Sequence, residues 1–136
     1  MIVVVIIGLL AAMALPAFQR VKRAAVSKRY LNDLRQFSQA VERYTLENGA
    51  FPPNGSASIH SSLRGYVPDK LFGPSPIGGV WDWDYLQGTI TAAVSVWQFT
   101  VSDEQLIDID RTIDDGNLNS GLFIKDGQKA IYIIEP

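Results

Sequence analysis

Cysteine is absent from the 136 residues, histidine occurs once, and no charged side chain precedes Arg20. The first absence excludes disulfides, thiolate nucleophiles and thiolate metal sites. It says nothing about compartment, because an exported protein need not contain cysteine. The lone histidine, His60, lies in a polar stretch and leaves no histidine pair for a metal. No serine stands in a nucleophile-elbow pattern. What remains for catalysis is Asp82 and Asp84, two apart on a predicted strand and about 6.5–7 Å apart at the backbone. That spacing is open to the paired carboxylates of glycoside hydrolysis. Strand alternation is expected to turn both toward solvent, where nothing raises one pKa above the other. No catalytic residue and no enzyme activity is therefore predicted.

Charge is scarce overall and unevenly placed. The net value is −2, with 12 basic and 14 acidic residues, so no general basicity points to nucleic acid. Arg20, Lys22, Arg23, Lys28, Arg29 and Arg35 stand close together with Asp33 as the one acid among them. From Asp69 onward there are eleven acids and four bases. The chain has an apolar foot, a basic neck and an acidic head.

The foot, MIVVVIIGLLAAMALPAF, is apolar throughout apart from Gly8 and Pro16. As a helix it extends about 27 Å, close to the ~30 Å of bilayer hydrocarbon. One reading is a secretory signal peptide cut after Ala12-Met13-Ala14. Against it, no positive region precedes the apolar run and the helical pattern continues past Pro16. The other reading is a membrane anchor. Basic residues directly after the span would hold the following domain in the cytoplasm, unless a basic leader stands before Met1.

Residues 1–18, with Gly8 and Pro16 at this spacing, resemble the start of the type IV pilins and of the pseudopilins of type II secretion. The likeness is specific over this run and extends more weakly to Pro53. Pro76-Ile-Gly-Gly-Val-Trp-Asp-Trp-Asp84 and Ile113-Asp-Asp-Gly-Asn-Leu-Asn-Ser-Gly121 look like the head domains of pseudopilin-like proteins. In that family a short basic leader ends in glycine, and the mature chain begins Phe-Thr-Leu-x-Glu. The resemblance implies that the leader and a few mature residues stand ahead of Met1. The methylated Phe and the acidic residue of the family start have no counterpart here.

The resemblance further implies an inner-membrane, single-pass filament subunit with its head outside the cytoplasm. Its partners would be copies of itself or homologous subunits, membrane lipid, the inner-membrane assembly machinery and, given a full N-terminus, a prepilin peptidase. Ile2, Val5, Gly8, Leu9, Leu15, Pro16 and Phe18 would carry anchoring and filament packing. From another class, the alternative is an exported carbohydrate-binding module whose apolar start is removed.

Beyond Pro16 the helix signal strengthens. Val21, Ala24, Ala25, Leu31, Leu34, Phe37, Val41 and Tyr44 form one apolar stripe. Lys28, Arg29, Asp33, Arg35, Glu42, Arg43 and Glu47 take the other faces. Gly49 and Pro52-Pro53 stop the helix. It is expected to run from Ile2 to Asn48, on the order of 70 Å, with a bend or loosened turn at Pro16. Residues 1–19 would be the membrane or filament-core half and 20–49 the stalk half. The basic neck, Arg20, Lys22, Arg23, Lys28 and Arg29, reads as headgroup contact or as pairing with acidic heads of neighbouring subunits. Nucleic acid is not expected, since Tyr30 alone interleaves these bases.

Residues 50–79 read as a connecting loop, rich in proline and glycine, with one short helix over 59–64 capped by Ser58 and ended by Gly65. Residues 80–136 read as an antiparallel head with one helix. Strands are expected over 80–85 and 90–100, separated by Leu86-Gln87-Gly88, with Trp81, Trp83 and Tyr85 on one face. These aromatics are either a platform for sugars or bases, or the core against Leu31, Leu34 and Phe37; a small head needs them for its core. Ser102-Asp103-Glu104-Gln105 is a capping box. It opens a helix with Leu106, Ile109 and Ile113 inward, ended by Gly116. Strands over 122–125 and 129–135 form a hairpin across Asp126-Gly127. The predicted class is α+β, a long helix whose C-terminal half packs on a small antiparallel sheet.

No cofactor is required by this reading, but calcium is a candidate. Asp115, Asn117 and Asn119 alternate as in a calcium loop, with Asp126 placed as a final carboxylate. Ser120 stands where such loops use glycine, and Asp126 serves the hairpin turn. Asp108, Asp110, Asp114 and Asp115 otherwise read as the solvated side of a helix. Some pseudopilins use calcium in this part of the head, so the resemblance also points there.

Overall fold

A computed structural model describes all residues, 1–136. Helix α1 runs unbroken over Ile2–Asn48, through Pro16. It ends at Gly49, whose left-handed backbone (φ 73°) lets its N–H return to the Thr45 carbonyl, a conformation that costs glycine nothing. Two short 3-10 turns follow, Ser61–Leu63 and Asp69–Phe72. Then come strands β1 (Val80–Gln87) and β2 (Ile90–Trp97), helix α2 (Asp103–Ile113), and strands β3 (Phe123–Asp126) and β4 (Lys129–Glu135).

The four strands form one antiparallel sheet in the order β1-β2-β4-β3. Trp83, Val94, Tyr132 and Phe123 lie in one row across it, and Trp81, Val96 and Ala130 in the next. Residues directly opposite share a face, so these rows make one apolar face, which receives the C-terminal half of α1. There Tyr30 stacks parallel on Trp81 at 5.3 Å, Phe37 packs on the same indole at 6.0 Å, and Phe123 meets Tyr30 edge-on at 6.2 Å.

The buried stripe of α1 is Tyr30, Asp33, Leu34, Phe37, Ala40 and Val41. It keeps the helical period of the predicted stripe but is rotated from it. Val21, Ala24 and Ala25 are exposed and Leu31 is half-buried. Tyr30 and Asp33 take the inner positions instead, the first through its ring and the second through Lys70, whose Nζ donates to Asp33 Oδ1 at 2.6 Å.

Other boundaries differ by a few residues. The helix expected over 59–64 is a 3-10 turn capped by His60, whose Nδ1 accepts from the Ser62 N–H. Strand β1 extends to Gln87, because the chain turns at Gly88-Thr89. Strand β2 stops at Trp97, where Gln98 takes a positive φ of 60° and leaves the ladder. Helix α2 ends at Ile113, before Gly116. Strand β3 begins at Phe123, one residue late.

The connector is not a free loop. Gly55 N–H bonds the Trp83 carbonyl along the outer edge of β1, and Trp83 Nε1 donates to the Pro52 carbonyl at 2.9 Å. Arg43 donates to the Gly65 carbonyl, and the Tyr66 hydroxyl donates to Glu47 at 2.6 Å. This edge of the sheet is thereby covered, which removes a site for strand-to-strand aggregation.

Candidate functional site

Residues 2–22 of α1 bury nothing within the chain. Ile2, Val5, Leu9, Leu15 and Phe18 are all exposed, as is Val21. A Cβ added at Gly8 would meet open space. The segment is long and apolar enough to cross a membrane, and none of it is buried. It projects beyond a head whose core begins at Tyr30. An apolar surface this large and continuous marks contact with lipid or protein.

Where the apolar stem ends, the basic neck begins. Arg20, Lys22, Lys28 and Arg29 are exposed and form no ion pair with the chain's own acids. Arg23 differs. Its guanidinium reaches Glu104 and Asp108 of α2, each at 3.8 Å. Gln105 reinforces this junction, its Nε2 donating to the Arg23 carbonyl at 3.3 Å and to Ser27 Oγ at 3.4 Å. The capping box is thus half-formed. Ser102 Oγ accepts from the Gln105 N–H, but the Gln105 side chain is spent on α1 rather than returned to the cap. Together these contacts set α2 against the neck.

The Trp-x-Trp-x-Tyr strand lies in the interior. Trp81 and Trp83 are buried and Tyr85 is half-buried against Phe51, so they offer no exposed platform for sugars or bases. Asp82 and Asp84 are also buried, at 4% and 6% exposure, which overturns the expectation that they face solvent. The opposite sheet face is not open, because the connector lies over it. Ser58 N–H donates to Asp82 Oδ1 at 2.8 Å. Lys129 from β4 bridges both acids, with Nζ 2.5 Å from Asp84 Oδ1 and 3.3 Å from Asp82 Oδ2. Ser95 donates to the other oxygen of Asp84. Burial first, and then the charge of Asp84, push the Asp82 carboxyl above its ordinary value despite Lys129. The group is closed on itself, with every carboxylate oxygen engaged, which is the arrangement of a structural staple.

At the C-terminal end of α2 the acids behave differently. Asp110 is fully buried, against the expectation of a solvated helix face, and neither of its carboxylate oxygens has a hydrogen-bond partner. Asp114 and Asp115 bring one oxygen each to within 4.8 Å of an Asp110 oxygen and of one another. Burial first, then Asp115 and Asp114, push the Asp110 carboxyl up; the nearby Gly116 and Asn117 amides offset part of that rise without closing a hydrogen bond. Asp115, Asn117 and Asn119 form successive Asx turns, Asp115 Oδ1 accepting from Asn117 N–H at 2.8 Å and Asn117 Oδ1 from Asn119 N–H at 3.2 Å. Asp126 is not in this group. It ends β3 opposite Lys129. The sequence pattern pointed to the loop but missed Asp110 and Asp114, which join it only because the helix end folds back.

No protein-family model matches the sequence, and no curated protein matches it. Among solved structures, the chain is similar to the major type IV pilin PilA1 from Clostridium difficile, with a TM-score of 0.61 and 16% identity. The match covers 86% of this chain and 98% of that one. The chain therefore has a type IV pilin fold, a long N-terminal helix on a four-stranded antiparallel sheet.

Proposed function

We propose that the chain is a structural subunit of a type IV filament, a pilin or a pseudopilin of type II secretion. The observation that carries this reading is the exposed apolar half-helix below a head whose own core is complete. That half-helix contributes nothing to the head, so its partner lies outside the chain. Residues 2–18 hold the subunit in the inner membrane as a single pass, with the head on the extracytoplasmic side. Assembly then moves the helix from lipid into a core of like helices. Gly8 gives a close approach between neighbours, and Pro16, lacking an amide hydrogen, gives the packed rod a point of adjustment. Work comes from an assembly machinery in the membrane, and a prepilin peptidase would process an N-terminal leader.

The site geometry supports a building block rather than an enzyme. Its most perturbed acids are either sealed by Lys129 or gathered with no histidine or cysteine beside them.

The absence of cysteine makes the test clean. Leu9→Cys and Leu15→Cys, each alone in the full chain, are expressed in a bacterium carrying the assembly machinery. Retention in the membrane fraction and disulfide-linked dimers through these positions, the one cross-link a single cysteine per chain allows, are expected. A soluble product beginning at Leu15 would mean signal-peptide removal and would overturn the filament reading in favour of an exported binding module.

A further inference from the structure

The connector leaves one cleft open beside the start of β1. Buried Ile59, Leu71 and Trp81 form its floor, and the more exposed Phe72, Val80 and Arg64 complete the lining. The space is about 340 Å³, at the small end of the range for ligand sites, about 300–1,000 Å³. Two groups in this lining are left without partners. Arg64 forms no ion pair with the chain's own acids. Its guanidinium lies over the Phe72 ring, 4.9 Å from the centroid. A guanidinium stacked in this way keeps its edge donors free, in a fork that fits a carboxylate. Trp81 is the second, since its buried Nε1 has no hydrogen-bond partner, and such a donor costs free energy while it stays unmatched. Beside them, Ala57 holds a left-handed backbone with φ 51°. A non-glycine residue keeps that conformation only where its surroundings impose it, and such strain gathers at ligand clamps.

We infer that this cleft binds the C-terminal residue of a peptide chain of another protein, its apolar side chain inside and its terminal carboxylate on Arg64. The lining calls for two features close together, an apolar body and one negative charge. No acid lines the cleft, so nothing in it competes for the guanidinium. A chain end carries an apolar side chain and a carboxylate on a single Cα. Within an extended segment, successive side chains point to opposite faces, so an acid beside an apolar residue cannot enter the cleft with it. Capture of a terminal carboxylate is a known mode of peptide recognition, and here an arginine supplies the charge. It lets the head hold a second protein without covering a large surface. The cleft lies within one head, so this inference stands apart from the filament reading.

The isotope-labelled full chain in detergent is titrated with the tripeptide Gly-Ala-Phe bearing a free carboxyl end, and with the same peptide amidated. Binding is followed by the NMR signals of the Trp81 indole N–H and the Arg64 side chain. Both signals should shift with the free acid, and the amide should bind tenfold or more weakly. Arg64→Gln should abolish that preference, while Arg35→Gln on α1 leaves it intact. Both arginines are exposed, so neither variant puts the fold at risk. No shift at these two residues, or equal binding of acid and amide, would overturn the assignment. So would equal binding of an amidated peptide with an internal Phe-Asp pair, which would make the ligand an acidic segment rather than a chain end.

Discussion

Lys129 shows how much one side chain settles in a small head. It stands between two buried carboxylates that would otherwise face each other across a dry gap. Lys129→Met would leave both without a counter-charge, and a loss of about 3–5 kcal/mol in unfolding free energy is expected from urea titration. Asp82→Asn acts in the opposite sense. The amide oxygen keeps the Ser58 N–H bond, and Asp84 remains as the partner of Lys129. The folded-state pKa of Asp82 is raised above 3.8, so the folded protein prefers its acid form. Its favourable contribution is complete below the unfolded value and is lost as pH rises through the folded one. The variant should therefore match or exceed the wild type at pH 7, and the wild type should gain on it as pH falls toward 4. Urea midpoints across that range measure the difference. Tyr30 marks a different compromise: burial pushes its phenol up, and its hydroxyl has no partner. The ring stays because it stacks on Trp81.

Among the elements, α2 is the one whose position rests on polar contacts at both ends. Its first turn is capped by Ser102 and carries Asp103 and Glu104, which suit the positive end of the helix dipole. Asp103 also pairs with Lys125 of β3 at 2.7 Å. Ser102→Ala removes the one side-chain acceptor at this terminus and should cost about 1 kcal/mol. Denaturant titration should show a lower midpoint with an unchanged slope, since the surface exposed on unfolding is the same. The long helix α1 obeys a simpler rule. Its C-terminal half is held by aromatic packing and its N-terminal half by nothing in this chain, so the two halves report to different surroundings.

For the molecule as a whole, this division is a thermodynamic statement. Every buried residue lies at Tyr30 or later, and the polar junction with α2 begins at Arg23. A chain of residues 20–136 retains all of these contacts. It should be soluble and monomeric by size-exclusion chromatography, with a thermal midpoint equal to that of the full chain in detergent. A markedly lower midpoint would show that the apolar half stabilises the head. The neck retains four unpaired bases next to the stem, which face either lipid headgroups or the acidic side of another subunit.

The local signals were strong where one property repeats along the chain. An unbroken run of apolar residues followed by a 3.6-residue stripe dictated α1 to within its observed ends, and Gly49 dictated its stop. Alternation and turn residues dictated the four strands and their antiparallel class, with errors of a few residues where a positive φ or a two-residue turn set the boundary. What these signals could not carry was identity across distance. Asp82 and Asp84 read as solvent-facing because alternation names a face but not what covers it, and Ser58, the connector residue that meets Asp82, stands 24 residues away. Tyr30 and Asp33 read as outer or neutral positions because their partners, Trp81 and Lys70, lie in other elements. Asp110 read as a solvated helix residue until the following loop closed over it. Period and composition act along the chain and are written in it. The environment of a charge is set by which segments meet, and only the tertiary structure decides that.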